Sequence, residues 1–64
     1  MSAADFYHQQ AAAERIAAQK ENLPQRRQQH ERSAERWDEM ARSAEETERR
    51  TAVNEASRQA RAVS

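Results

Sequence analysis

The side chains of this 64-residue sequence with a capacity for chemistry are two histidines, His8 and His30, a scatter of carboxylates, and one tryptophan, Trp37. A structural or catalytic metal needs several nitrogen, sulfur or carboxylate ligands converging on one point. The chain has no cysteine, and neither histidine has an acidic or thiol cluster beside it, so no metal or other cofactor is expected. Catalysis asks for a nucleophile with an adjacent base, or for two carboxylates held in different environments within a pocket. The carboxylates here alternate with arginines, as on a solvated helix face, and a chain this short has little room for a pocket. An enzyme is therefore not expected, nor is a small-molecule ligand.

The arginines offer a different chemistry. Arg26 and Arg27 near the middle, and Arg49, Arg50 and Arg58 in the last third, are candidate charge contacts, with Arg61 beyond them. Phosphate binding would use such residues. Acidic side chains interrupt them, however, no aromatic platform accompanies them, and the formal net charge is zero. Contact with nucleic acid thus ranks below contact with protein. A tryptophan can anchor a protein partner, yet Trp37 stands at helical spacing from Met40 and Ala44, the pattern of a packing residue.

The elements that must position these residues are helices. Alanine, glutamate, arginine and glutamine dominate, glycine is absent and aromatic residues make up 5% of the chain. These are helix formers, and such a charged composition belongs either to a long-helix protein or to a disordered chain. No apolar run approaches a signal-peptide core or a membrane span, so the expected setting is cytoplasmic, without membrane contact. A single domain of this size supplies only a few kcal/mol from its core without a disulfide or metal to staple it.

Helix 1 is expected over about residues 3–21, opened by Ser2 as cap with Asp5 three residues on, a variant of the capping box. Its inward face reads Phe6, Gln9 or Gln10, Ala13, Ile16, Ala17, Lys20 and Leu23. Residues 22–24 break it, because proline disfavours helical geometry at Leu23 and has no N–H to donate. Either Asn22 caps helix 2, with Gln25 reaching back, or Leu23 is the cap and Pro24 the first helical residue. So short a connection favours an antiparallel hairpin, with a kinked continuous helix as the competitor. Helix 2 is expected from about Pro24 to about Ala60, with an inward row at His30, Ser33, Ala34, Trp37, Met40, Ala41 and Ala44. A second stripe follows at Ala52, Val53, Ala56, Ala60 and Val63.

At about 1.5 Å per residue, helix 1 reaches only to about Ala44, so residues 1–44 form the hairpin and 45–64 a charged helical extension of helix 2. The expected pairs across the hairpin are Ile16 with His30, Ala13 with Ala34, Gln9 or Gln10 with Trp37, and Phe6 with Met40 and Ala41. Phe6, Trp37 and Met40 would make the densest contact. Charge divides at the same place: Asp38, Glu39, Glu45, Glu46 and Glu48 outweigh Arg42, and then Arg49, Arg50, Arg58 and Arg61 outweigh Glu55. Two copies packed antiparallel through helix 2 would lay each basic tail on an acidic middle and bring Val53 toward Trp37 and Met40.

From Leu23 onward the residues Leu23, Pro24 and Arg27, then Ala34, Trp37, Met40, Ala41, Ala44 and Glu45, form a pattern. It resembles that of a group of short, uncharacterised bacterial helical proteins with an L-P-N-V-R, W-x-x-M-A and R-A-E signature. Gln25 and Arg26 stand where that signature has Asn and Val. The resemblance covers about a third of the chain and implies a small helical protein with no activity attached. The expectation is thus an all-α antiparallel two-helix hairpin with a long second helix, completed by oligomerisation or by a partner. Its packing or interface residues are Phe6, Ile16, Leu23, Trp37, Met40, Ala44 and Val53, and its partner is a second copy or another protein.

Overall fold

The computed structural model describes residues 1–63, with the backbone alone for Val63. The part of the tail stripe at the Val63 side chain, and the end of the extension at Ser64, lie outside that description. The described residues form two helices, α1 (Ala3–Lys20) and α2 (Pro24–Val63), packed against each other as a hairpin.

Local chemistry accounts for each boundary. The Asp5 N–H donates to Ser2 Oγ at 3.1 Å and the Ser2 N–H donates back to Asp5 Oδ2 at 3.5 Å, a complete capping box. At the other end Glu21 turns to extended geometry, φ −84° and ψ 131°, while its N–H still donates to Ala18 O at 3.2 Å. Its carboxylate then accepts from the otherwise orphaned N–H groups of Asn22 and Leu23, at 3.2 and 3.4 Å. Leu23 is the cap of α2, since its carbonyl accepts from Arg27 N at 3.0 Å, and Pro24 takes the first helical position. That position needs no N–H partner and suits the fixed proline φ. No described residue has positive φ, which explains how the chain reverses without glycine.

Among the described residues only alanines are fully buried. Ala4, Ala11 and Ala18 recur every seventh residue on α1, and Ala34 and Ala41 do so on α2, with exposures of 4% or less. A seven-residue repeat is the period at which two helices keep one face together along their length. Methyl-sized side chains let the two backbones approach closely, so the seam gains dispersion contacts along the whole helix.

The inward face expected for α1 is therefore corrected. Phe6, Ile16 and Leu23 stay exposed, as do Gln9, Ala13 and Lys20, and the seam runs instead through Ala4, Ala11 and Ala18, flanked by Tyr7, Gln10, Glu14 and Ala17. Phe6 and Ile16 are ten residues apart, which leaves them about 80° from each other around a helix, so they cannot share a narrow seam. Bulky side chains between the helices would also hold the axes apart. On α2 the expected row stands at Ala34, Ala41, Ala44, Trp37, His30 and Ser33, whereas Met40 lies at its exposed edge. α2 runs on to Val63, three residues past the expected end.

The molecule is slender, 62 × 17 × 9 Å, with a radius of gyration of 17.5 Å; a compact chain of this length would have about 11 Å. Every described residue from Thr47 to Ala62 is exposed. α2 therefore carries an uncovered tail about 25 Å long, nearly the length of α1 itself.

Candidate functional site

The two flanks of the alanine seam differ in chemistry. One flank is ionic. Arg15 on α1 bonds Asp38 on α2, and His8 Nε2 donates to Glu45 Oε1 at 2.9 Å. Arg15 and His8 are seven residues apart, as are Asp38 and Glu45, so the two bridges sit one heptad apart on the same side. The hydrogen bond from Arg15 holds the Asp38 carboxyl below the usual carboxylate range, and the charges of Arg15 and Arg42 add to this against the opposing effect of desolvation. Asp38 in turn raises the Arg15 guanidinium.

The other flank is aromatic. Trp37 meets Phe6 edge-on, ring centroids 6.0 Å apart and planes at 90°, and stacks on Tyr7 at 5.8 Å and 30°. Phe6 and Tyr7 are themselves in edge contact at 5.8 Å. Such arrangements match the ring quadrupoles. Trp37 thus packs on Phe6 and Tyr7, where Gln9 or Gln10 was expected opposite it, and Met40 borders the cluster with 43% of its surface exposed. Beside it, Tyr7, Met40, Ser43, Ala44 and Thr47 line an open groove of about 290 Å³, at the end of the hairpin where α1 begins and the tail of α2 leaves it. Near the turn, His30 Nδ1 donates to Glu14 Oε2 at 2.7 Å and fastens the other end of the hairpin.

Several of these roles were missed in the sequence. Tyr7, Glu14, Arg15 and Asp38 follow from the alanine repeat: Tyr7 and Glu14, like His8 and Arg15, are spaced by seven on α1, and His30, Trp37 and Ala44 are spaced by seven on α2. That period was the available signal. Both histidines, read as lone side chains, are cross-helix partners of carboxylates. Among the described residues, no three histidine or acidic side chains converge as a metal site would require.

The candidate charge contacts are mostly engaged locally. Arg49 and Arg50 both pair with Glu46, at 3.0 and 3.1 Å, and Arg58 pairs with Glu55 at 3.5 Å. Arg27 donates to the Glu21 carbonyl at 3.1 Å, which ties α2 to the turn. Arg26 is exposed at the start of α2. Val53 is exposed on the tail and Ile16 and Leu23 on the hairpin, none of them in the aromatic cluster. No helix among the described residues is long and apolar enough to cross a membrane.

The molecule is thus an all-α helical hairpin with an alanine seam, one aromatic flank and an uncovered helical tail. Comparison with protein-family models, with curated proteins and with solved structures finds no match to this chain.

Proposed function

We propose that the chain is a non-enzymatic structural or protein-interaction module, which self-associates or docks on a larger protein assembly through α2. One observation carries this reading: among the described residues only alanines are buried, while Phe6, Ile16, Leu23, Met40 and Val53 stay between 43% and 59% exposed. Large apolar side chains are worth about 2 kcal/mol each when fully buried, and that stabilisation is still to be collected. The accessible surface, 5341 Å², points the same way, because a compact chain of this mass would expose only about 4200 Å². The surplus exceeds the area of about 800 Å² that each partner contributes to a standard protein interface.

The test is helicity and melting as a function of concentration and of added partner. A module of this kind gains helicity and melting temperature when association supplies the missing burial. A single chain that is fully helical and melts cooperatively at the lowest measurable concentration would refute the proposal.

The second reading, a nucleic-acid accessory protein using Arg26, Arg27, Arg49, Arg50 and Arg58, has less support. Acidic side chains interrupt these arginines along the chain and the formal net charge is zero. Binding to mixed DNA or RNA that falls steeply with salt would favour it, and absence of binding at low salt would remove it.

A further inference from the structure

We infer that the occupant of the aromatic flank is the tail of a second copy of this chain, laid antiparallel so that two α2 helices pair about a two-fold axis near residues 47–51. The inference deepens the interaction reading above and rests on it.

Three observations converge. The first is spacing: Trp37, Met40, Ala44, Thr47, Thr51, Asn54 and Arg58 follow one another at intervals of three and four, a single stripe along α2. α1 flanks its first half and leaves its second half bare. The stripe is fit for burial at its centre, because Thr47 Oγ1 donates to Ser43 O at 3.1 Å and Thr51 Oγ1 to Thr47 O at 2.9 Å. Each hydroxyl is thus satisfied within its own helix, and burial between two copies strands neither of them.

Charge is the second. Asp38, Glu39, Glu45, Glu46 and Glu48 against Arg42 make residues 38–48 acidic, and Arg49, Arg50, Arg58 and Arg61 against Glu55 make residues 49–61 basic. An antiparallel pair centred on residues 47–51 sets each acidic segment beside the other copy's basic one. A parallel in-register pair sets like beside like, which antagonises it.

Length is the third. The bare tail nearly matches α1, about 25 Å against about 27 Å. Antiparallel pairing therefore brings each tail along one hairpin, and α1, the first half of α2 and the tail of the second copy form a three-helix layer at either end. In that register Thr47 stands opposite Thr51 of the second copy, Ala44 opposite Asn54, and Met40 opposite Arg58, whose guanidinium can lie over the Trp37 ring. Val53 is about 140° around α2 from Met40 and stays outside this contact. The expected meeting of Val53 with Trp37 and Met40 is revised accordingly.

The chain contains no cysteine, which makes disulfide mapping direct. Single-cysteine chains Met40→Cys and Arg58→Cys are prepared, oxidised alone and as an equimolar mixture, and compared with the mass of the unmodified chain. The inference predicts a two-chain mass and a covalent dimer in the mixture, with neither variant cross-linking to itself, since like positions lie about 27 Å apart along the pair. Ala44→Cys with Asn54→Cys repeats the test at a second pair should Met40→Cys unfold the hairpin. Self-linking of either variant, or no mixed product at both pairs in a chain of two-chain mass, overturns the antiparallel pairing while the interaction reading stands. A one-chain mass with partial helicity also overturns the second copy as occupant and leaves a different protein as the partner. A one-chain mass with full helicity overturns both.

Discussion

Ala34 and Ala13 show most plainly what individual residues do here. Both are small and both were candidates for the same contact across the hairpin, yet Ala34 is 1% exposed and Ala13 lies on the open face of α1. Enlarging Ala34 to leucine forces the helices apart, and Ala34→Leu is expected to cost about 1–3 kcal/mol. Ala13→Leu is expected to stay within about 0.5 kcal/mol of the parent. Thermal melts at one fixed concentration check both, and equal effects would place the seam elsewhere. Asp38 supplies a pH test. Its folded pKa lies below its ordinary value, so the ionised pair with Arg15 stabilises the hairpin above the ordinary carboxylate range. That contribution is lost as pH falls through the lowered value. Asp38→Asn is expected to be the less stable chain at neutral pH, with the difference closing on acidification. A difference in melting temperature that stays constant down to acid pH would contradict the assignment.

At the scale of the element, helix boundaries were legible because capping chemistry is local. Ser2 with Asp5, and Pro24 after Leu23, determine their own surroundings, and they stand where the residue types place them. Ser2→Ala is expected to remove about 1 kcal/mol and to speed amide exchange in the first turn of α1 alone. The face of α1 was not legible in the same way. Ranking residues by apolar size points to Phe6 and Ile16, whereas two helices close-pack best on the smallest residues, and only the seven-residue spacing of Ala4, Ala11 and Ala18 reveals this. The ionic flank is illegible in the sequence for a related reason: Arg15 with Asp38 and His8 with Glu45 are adjacent only once that spacing fixes the rotation of α1. On α2 size and spacing agree at Trp37, Ala41 and Ala44, so its inward row could be read directly. The bare tail followed from arithmetic on helix lengths.

For the whole molecule the balance of covered and uncovered surface governs behaviour. A molecule 62 Å long whose core is methyl groups has little to hold it in isolation. A chain ending at Glu46 keeps the alanine seam and loses the tail, and it is expected to remain single at concentrations where the full chain pairs. Because the proposed pairing sets acidic segments against basic ones, raising salt should weaken association of the full chain, as screening of exposed charges requires. The intramolecular hairpin, seamed by alanine, should respond much less. Sedimentation equilibrium with circular dichroism on the same samples, across a wide range of concentration, decides whether two chains pair. Pairing gives a mass rising toward twice 7.4 kDa with helicity rising in step; a mass of one chain with full, concentration-independent helicity rules it out.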